Sequence, residues 1–331
     1  MNTIRDFSFL CIIAFSALSA SCSSCQSQKP VSEPYQQVSP DFDADSAFSY
    51  IEKQVSFGPR VPMTPAHADC GDYLAAKLSS FGAKVIEQKA TVKHYNGKNI
   101  EIRNIIGSFQ GEKEKRLLLF AHWDSRPFAD QENDPVKRNR PILGADDGAS
   151  GVGVLLEVAR QLQHNTPECG VDILFFDLED WGQAEFDDHY IPGNWWCMGS
   201  QHWAKAPHTP DYKAKFGILL DMVGAPDATF MRESESMRYA ANIVEKVWRT
   251  ASKMGFGQLF IDKKTGSIYD DHIPVNQIRN IPCIDIINLK SKSSSGFASH
   301  WHTLDDTMQN INKSTLKSVG QTVLEVIFLE K

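Results

Sequence analysis

Apolar runs of strand character that end in acidic residues constrain this chain more than any other feature. Leu117-Leu118-Leu119-Phe120 leads into His122-Trp123-Asp124, Val171 to Phe176 leads into Asp177-Leu178-Glu179-Asp180, and Phe216 to Leu220 leads into Asp221. Short, unbroken apolar runs suit strands covered on both faces by helices. Open α/β sheets bind their ligands beyond the carboxyl ends of the strands, so these acids are expected to converge. Between the first two runs, Gly144-Ala145-Asp146-Asp147-Gly148-Ala149-Ser150-Gly151 reads as a turn opening a helix. Near the C-terminus, Ser299-His300-Trp301-His302-Thr303-Leu304-Asp305-Asp306 adds histidine. His, Asp and Glu gathered at strand ends form a zinc donor set, and the chain reads as a zinc enzyme.

The rest of the pattern alternates strand with helix. Strands are predicted at 116–122, 171–177, 216–221 and 282–288, and helices at 148–164, 198–206, 234–254 and 313–329. Upstream, Ala47, Tyr50, Ile51 and Val55 keep helical spacing, and a second helix runs from Ala66 to Phe81 and stops at Gly82. Val85 to His94 and Ile100 to Phe109 read as two strands around the hairpin signal Asn96-Gly97. Alternation after an initial hairpin implies an α/β fold, a three-layer α/β/α sandwich. Its central sheet is mostly parallel with an antiparallel edge. Residues 43–331 are expected to form one domain, preceded by a polar linker at 23–42.

The first 22 residues have the character of a targeting segment. Arg5 supplies a positive start and Phe7 to Ala17 an apolar stretch too short to span comfortably. Leu18-Ser19-Ala20-Ser21-Cys22 then forms a cleavage region. Cutting near Ala20 would release an ordinary secreted protein. A bacterial lipoprotein signal would make Cys22 the lipidated first residue, and the polar stretch from Ser23 to Gln37 would serve as its tether. The expectation is an exported periplasmic lipoprotein, held to the membrane only through Cys22. Beyond the signal, Cys25, Cys70, Cys169, Cys197 and Cys283 are odd in number and lack CxxC spacing, so neither a disulfide framework nor a cysteine zinc site is indicated. Cys169 and Cys283 read as buried core thiols. A net charge of −7 with no basic run argues against nucleic acid and favours a neutral or cationic substrate. A monomer is expected.

Each candidate site residue also has a structural reading. Asp before Gly148 suits a helix N-cap, but the doubled Asp146-Asp147 offers one carboxylate for a cap and another for a cation. Glu179-Asp180 is the most informative pair. A zinc site that moves protons needs one carboxylate on the metal and a neighbour held off it as base. His302 lies in a polar approach, not on an apolar helix face. The long irregular stretch from Trp181 to Trp196, rich in aromatics, is expected to be ordered over the mouth of the pocket.

These motifs carry a resemblance. Gly144-Ala145-Asp146-Asp147, Phe175-Phe176-Asp177-Leu178-Glu179-Asp180, Leu219-Leu220-Asp221 and Trp301-His302-Thr303 resemble the zinc-dependent aminopeptidase superfamily. Within it, Leu220 to Pro226 with Thr229-Phe230, Asp270-Asp271-His272-Ile273-Pro274 and Trp301 to Asp306 resemble the glutaminyl cyclases (glutaminyl-peptide cyclotransferases) of animal type, in a bacterial branch. The likeness runs from about Ala47 to Lys331. It implies one zinc per chain on Asp147, Asp180 and His302, with Glu179 as the acid/base group. It implies Asp221 and Asp270 as a carboxylate network beside that group, Trp301 and Trp196 as substrate-pocket walls, and a cis peptide at Asp147-Gly148. The departures are Asp180 where animal members usually have Glu, Asp285 where they have His, and Ala121 and Val152 where they often carry a disulfide.

The implied reaction closes an N-terminal glutaminyl residue of peptides and exported proteins to pyroglutamate, releasing ammonia. The rival is a two-zinc aminopeptidase, for which His122, Asp147, Asp180, Asp221 and His302 would suffice as ligands. A non-catalytic binder of peptide N-termini would lack the acid/base carboxylate, and Glu179 is present.

Overall fold

The computed structural model describes residues 35–290 and 293–331. The predicted targeting segment, with Cys22, and most of the linker lie outside the described residues.

Helix starts follow local signals. Helix α1 (Ala44–Ser56) is capped by the Asp43 carboxylate, which accepts from the amides of Asp45 and Ser46. Helix α2 (Pro65–Ser80) has Pro65 in its first turn and Thr64 accepting from the His67 amide. Strands β1 (Lys84–Lys93) and β2 (Asn99–Phe109) form the antiparallel hairpin, and β3 (Arg116–His122) follows. After the short α3 (Pro135–Arg138) come α4 (Ala149–His164), β4 (Gly170–Phe176), α5 (Met198–Lys205) and β5 (Phe216–Asp221). The chain closes with β6 (Phe230–Arg232), α6 (Ser234–Lys253), β7 (Phe260–Lys264), α7 (His272–Pro274), β8 (Cys283–Ile287) and α8 (Lys313–Leu329).

The six-stranded sheet has the order β1-β2-β4-β3-β5-β8. Strands β4, β3, β5 and β8 run parallel, while β2 pairs antiparallel with both β1 and β4. This is the expected parallel sheet with an antiparallel edge. Strands β6 and β7 pair separately in a small sheet that the sequence reading did not anticipate.

Alternation along the strands sorts side chains into two cores, as a pleated strand requires. Leu117, Leu119 and Ala121 of β3 face a core with Ile51 of α1, Leu155 of α4, Val247 of α6 and Val323 of α8. Leu118 and Phe120 face the opposite core, with Trp203 of α5, Tyr212 and Val275. These side chains are fully or nearly fully buried, and each such leucine or phenylalanine contributes about 1.5–3 kcal/mol relative to exposure. Gly151 lets α4 approach β5, since a Cβ there would stand 2.2 Å from the Leu220 carbonyl oxygen.

Strand order fixes the site. Strands β4, β3 and β5 are neighbours, so their carboxyl ends place Asp177 to Asp180, His122 and Asp221 side by side.

Candidate metal centre and active site

The turn bearing Asp147 is held from several sides. Arg60, fully buried, donates to the carbonyls of Trp123, Leu143 and Gly144 at 3.0, 2.6 and 2.8 Å. The amides of Asp146 and Asp147 donate to the Asp306 carboxylate at 2.8 and 3.2 Å. The Asp147-Gly148 peptide bond is cis. Gly148 lies against β3, and a Cβ there would meet the His122 carbonyl oxygen at 2.5 Å and its ring at 2.6 Å.

The N-cap expectation for the acidic pair is corrected here. Gly148 is the cap residue of α4 and no side chain caps it. Asp146 instead accepts from the Gly224 amide at 2.7 Å, and its other oxygen lies 2.9 Å from His300 Nε2. The Asp147 carboxylate takes no part in capping and faces the imidazoles of His122 and His302, where a cation could be held.

The acidic pair after β4 is fixed by Asp124, whose two carboxylate oxygens accept from the amides of Glu179 and Asp180, each at 3.1 Å. Leu178, with φ 53°, turns the backbone so that the two acids diverge. Asp180 Oδ1 stands 3.2 Å from His302 Nε2 and 3.3 Å from Arg126 Nη1. The buried Arg126 also pairs with Asp130 and lies 4.6 Å over the Trp196 ring. Asp130 Oδ1 is 3.1 Å from His302 Nδ1, leaving Nε2 toward Asp147 Oδ2 at 3.6 Å. A carboxylate behind a ligating imidazole fixes its ring in this way.

Ligand atoms of Asp147, Asp180 and His302 all lie within 4.8 Å of one another, and all three residues are buried. Asp180 Oδ2 is buried with no hydrogen-bond partner. Burying ionised carboxylates without partners is costly, so this oxygen and the converging donors fit a divalent cation. Oxygen donors plus one imidazole nitrogen, with a fourth position toward the cavity, suit catalytic zinc. His122, Asp147 and Asp221 form a second cluster of the same span. His122 Nε2 is 3.0 Å from Asp147 Oδ1 and 3.3 Å from Asp221 Oδ1. Asp147 belongs to both.

Beside the first cluster, Glu179 reaches the cavity. Burial first, then the negative charge of Asp270 and Asp180, pushes its carboxyl well above the ordinary glutamate range, although His122 opposes this. Burial and the Asp221 charge raise Asp270 to about 7, and burial raises Asp221 to about 6. Behind them, burial and Asp270 push Asp285 well up. Acids this crowded hold protons among themselves and titrate as a group.

Asp147, Glu179, Asp180, Asp221, Asp270, Trp196, Trp301 and His302 all line one cavity of 320 Å³. Every residue expected at the site is therefore brought together. Trp301 stacks on His302 with ring centroids 3.8 Å apart, and Trp196 lies parallel to that imidazole at 6.4 Å. The stretch from Trp181 to Trp196 is tied down by aromatic contacts, with Trp181 at 5.0 Å and Trp195 at 6.5 Å from His94. A larger hollow of 550 Å³ between α2 and the β1–β2 hairpin contains none of the donor clusters. Sequence reasoning missed Arg126, Asp130 and Asp306, whose work depends on contacts across long separations.

The profile of peptidase family M28 matches residues 104–327, which include the strands and acids just described. The chain belongs to peptidase family M28. Among solved structures, the Tannerella forsythia glutaminyl cyclase is 56% identical with a TM-score of 0.87, covering 88% of this chain and 100% of that one. A Zn-dependent exopeptidase from Parabacteroides distasonis is 57% identical with the same TM-score of 0.87, covering 88% of this chain and 99% of its own. The bovine glutaminyl-peptide cyclotransferase is 27% identical over 256 residues, 69% of this chain and 65% of the bovine one. The chain thus spans slightly under two thirds of that animal relative.

Proposed function

We propose that this M28 member is a zinc-dependent glutaminyl-peptide cyclotransferase, converting N-terminal glutamine of peptides and proteins to pyroglutamate with release of ammonia. The observation that carries the reading is Glu179, a carboxyl of raised basicity, facing a tryptophan-walled cavity beside the Asp147, Asp180 and His302 cluster. The likeness to glutaminyl cyclases supports it.

Asp147, Asp180 and His302 would hold one zinc per chain, which when bound supplies Lewis-acid polarisation of the substrate's γ-amide carbonyl. The nucleophile is the substrate's own α-amine, so catalysis depends on folding the glutamine side chain back on itself. Trp196 and Trp301 would confine that folded conformer, replacing a bimolecular encounter by positioning. Glu179 takes a proton from the attacking amine and delivers it to the departing amide nitrogen. A carbon–nitrogen bond forms to the α-nitrogen, the bond to the side-chain nitrogen breaks, and ammonia leaves. Asp221 and Asp270 share protons behind Glu179 and keep its basicity high. Asp285 extends that network. The same tryptophan walls exclude water, which a peptidase would need as nucleophile.

A two-zinc aminopeptidase is the second reading, favoured by the His122, Asp147 and Asp221 cluster. Ammonia release from a glutaminyl dipeptide, set against hydrolysis of a leucyl amide, separates the two. We further propose a signal at 1–22, a tether at 23–42 and a catalytic domain over 43–331. Lipidation at Cys22 would place a monomeric enzyme in the periplasm, facing exported proteins with newly exposed N-termini. One acyl group binds membranes marginally, whereas several chains on one cysteine anchor firmly.

A further inference from the structure

A buried thiol touches the proposed base. Cys197 is fully buried, and its Sγ donates to Glu179 Oε1 at 3.1 Å. The contact is braced by backbone. The Cys197 amide donates to the Glu179 carbonyl and the Met198 amide to the Leu178 carbonyl, each at 2.9 Å. Cys197 holds φ at 55°, a left-handed conformation uncommon outside glycine and asparagine, at the entry to α5. Glu179 lines the 320 Å³ cavity and Cys197 does not, so the thiol meets the carboxyl group from outside the cavity lining.

We infer that Cys197 is a positioning residue for the cyclisation, its thiol holding Oε1 of Glu179 so that Oε2 faces the substrate amine. The inference rests on the reading of Glu179 as the proton carrier. Rotation about the last bond of a glutamate side chain is broad and nearly two-fold, so an untethered carboxyl would sample orientations unsuited to transfer. Proton transfer needs heavy atoms within about 2.6–3.2 Å, and small misplacements cost large factors in rate. A thiol is a weak donor. At 3.1 Å it is close enough to fix the orientation of the carboxyl group. Burial, with the nearby Glu179 charge, pushes the Cys197 thiol well above its ordinary value and keeps its proton in place as a donor.

The test compares Cys197→Ala with Cys197→Ser in the full-length, zinc-loaded enzyme acting on a glutaminyl peptide. Both variants carry the same left-handed backbone, so their difference isolates the donor. Cys197→Ala should lower kcat about tenfold with KM, zinc content and thermal midpoint little changed, and Cys197→Ser should recover most of the loss. Added to Glu179→Gln, Cys197→Ala should cost nothing further, because the two act through one group. Equal losses for Ala and Ser, wild-type kcat in Cys197→Ala, or an undiminished effect in the Glu179→Gln background would each overturn the inference. Should Cys197→Ala not fold, the infrared S–H band gives a readout that keeps the thiol. Glu179→Ala should move the Cys197 band to higher frequency, and an unmoved band would count against the bond. If Glu179→Gln itself turns over at the wild-type rate, the assignment of the base fails. If it is crippled while Cys197→Ala is not, only the positioning role fails.

Discussion

Replacing Glu179 by glutamine removes the proposed proton carrier with little disturbance to the structure. The two side chains are nearly isosteric, and the glutamine carbonyl can still accept the Cys197 S–H bond. Glutamine cannot take the proton of the attacking amine. General acid/base groups contribute roughly 10²–10⁴-fold, so turnover should fall by about 10² or more, or about 2.7 kcal/mol and upward in activation free energy. Folding should not suffer, because Glu179 sits among Asp270, Asp180 and Asp271, whose charges disfavour its ionised form. The thermal midpoint is expected at or above that of the parent. Zinc should be retained, since Glu179 lies outside the Asp147, Asp180 and His302 cluster. Asp180→Ala should behave oppositely. It deletes a proposed ligand, strips Arg126 and His302 of a carboxylate partner, and should lose zinc on dialysis along with activity. Ammonia release at saturating glutaminyl peptide, with zinc counted on the same samples, reads both variants. Zinc lost from Glu179→Gln but kept by Asp180→Ala would reverse the division of the pair, and near-parental turnover in Glu179→Gln would remove it as base.

Other perturbations test the frame around the site. Gly148→Ala should abolish zinc binding and lower the melting temperature, because its Cβ would stand 2.5 Å from the His122 carbonyl oxygen; a fully active, zinc-replete variant would refute that tight packing. Burial opposes ionisation of Glu233, but His272 and the amides of Ser236 and Glu235 hold its carboxyl down at about 2. Its folded value lies below its ordinary one of 4.5, so its contribution is present above about pH 4.5 and is lost as pH falls toward 2. The stability gap between parent and Glu233→Gln, measured by thermal melting, should therefore close over that interval, and a gap constant with pH would contradict the assignment. Cys22→Ser should leave the protein unprocessed or mislocalised on cell fractionation yet active when solubilised. Normal membrane retention would sink the lipoprotein proposal.

How much of this was legible in the sequence depends on how local each signal is. Unbroken apolar runs ending in acids mark strands buried on both faces, and those ends became β3, β4 and β5, neighbours in the sheet. The Asn96-Gly97 signal placed the antiparallel edge. Strand β6, at three residues, is too short to show a period, so its pairing with β7 was missed. One carboxylate of Asp146-Asp147 looked like a cap because Asp before a helix usually is one, but no side chain caps α4, and tertiary partners at Gly224 and His300 claimed Asp146. Asp306 stood inside the Trp301 to Asp306 motif without a role, and Asp130 carried no signal, for the same reason. Asp306 receives amides from residues about 160 positions away, and Asp130 meets His302 only through folding. Cys197 carried no pattern as a lone cysteine, and its link to Glu179 follows from a left-handed turn that no propensity of cysteine announces.

One zinc on Asp147, Asp180 and His302 is proposed to serve cyclisation. This is tested most directly by stripping the enzyme and titrating zinc back while following ammonia release from a glutaminyl dipeptide. Ammonia release should rise linearly and reach its plateau at one zinc per chain. A plateau only at two equivalents, with leucyl amide hydrolysed in place of ammonia release, would contradict it and identify a peptidase that uses the His122, Asp147 and Asp221 cluster as well.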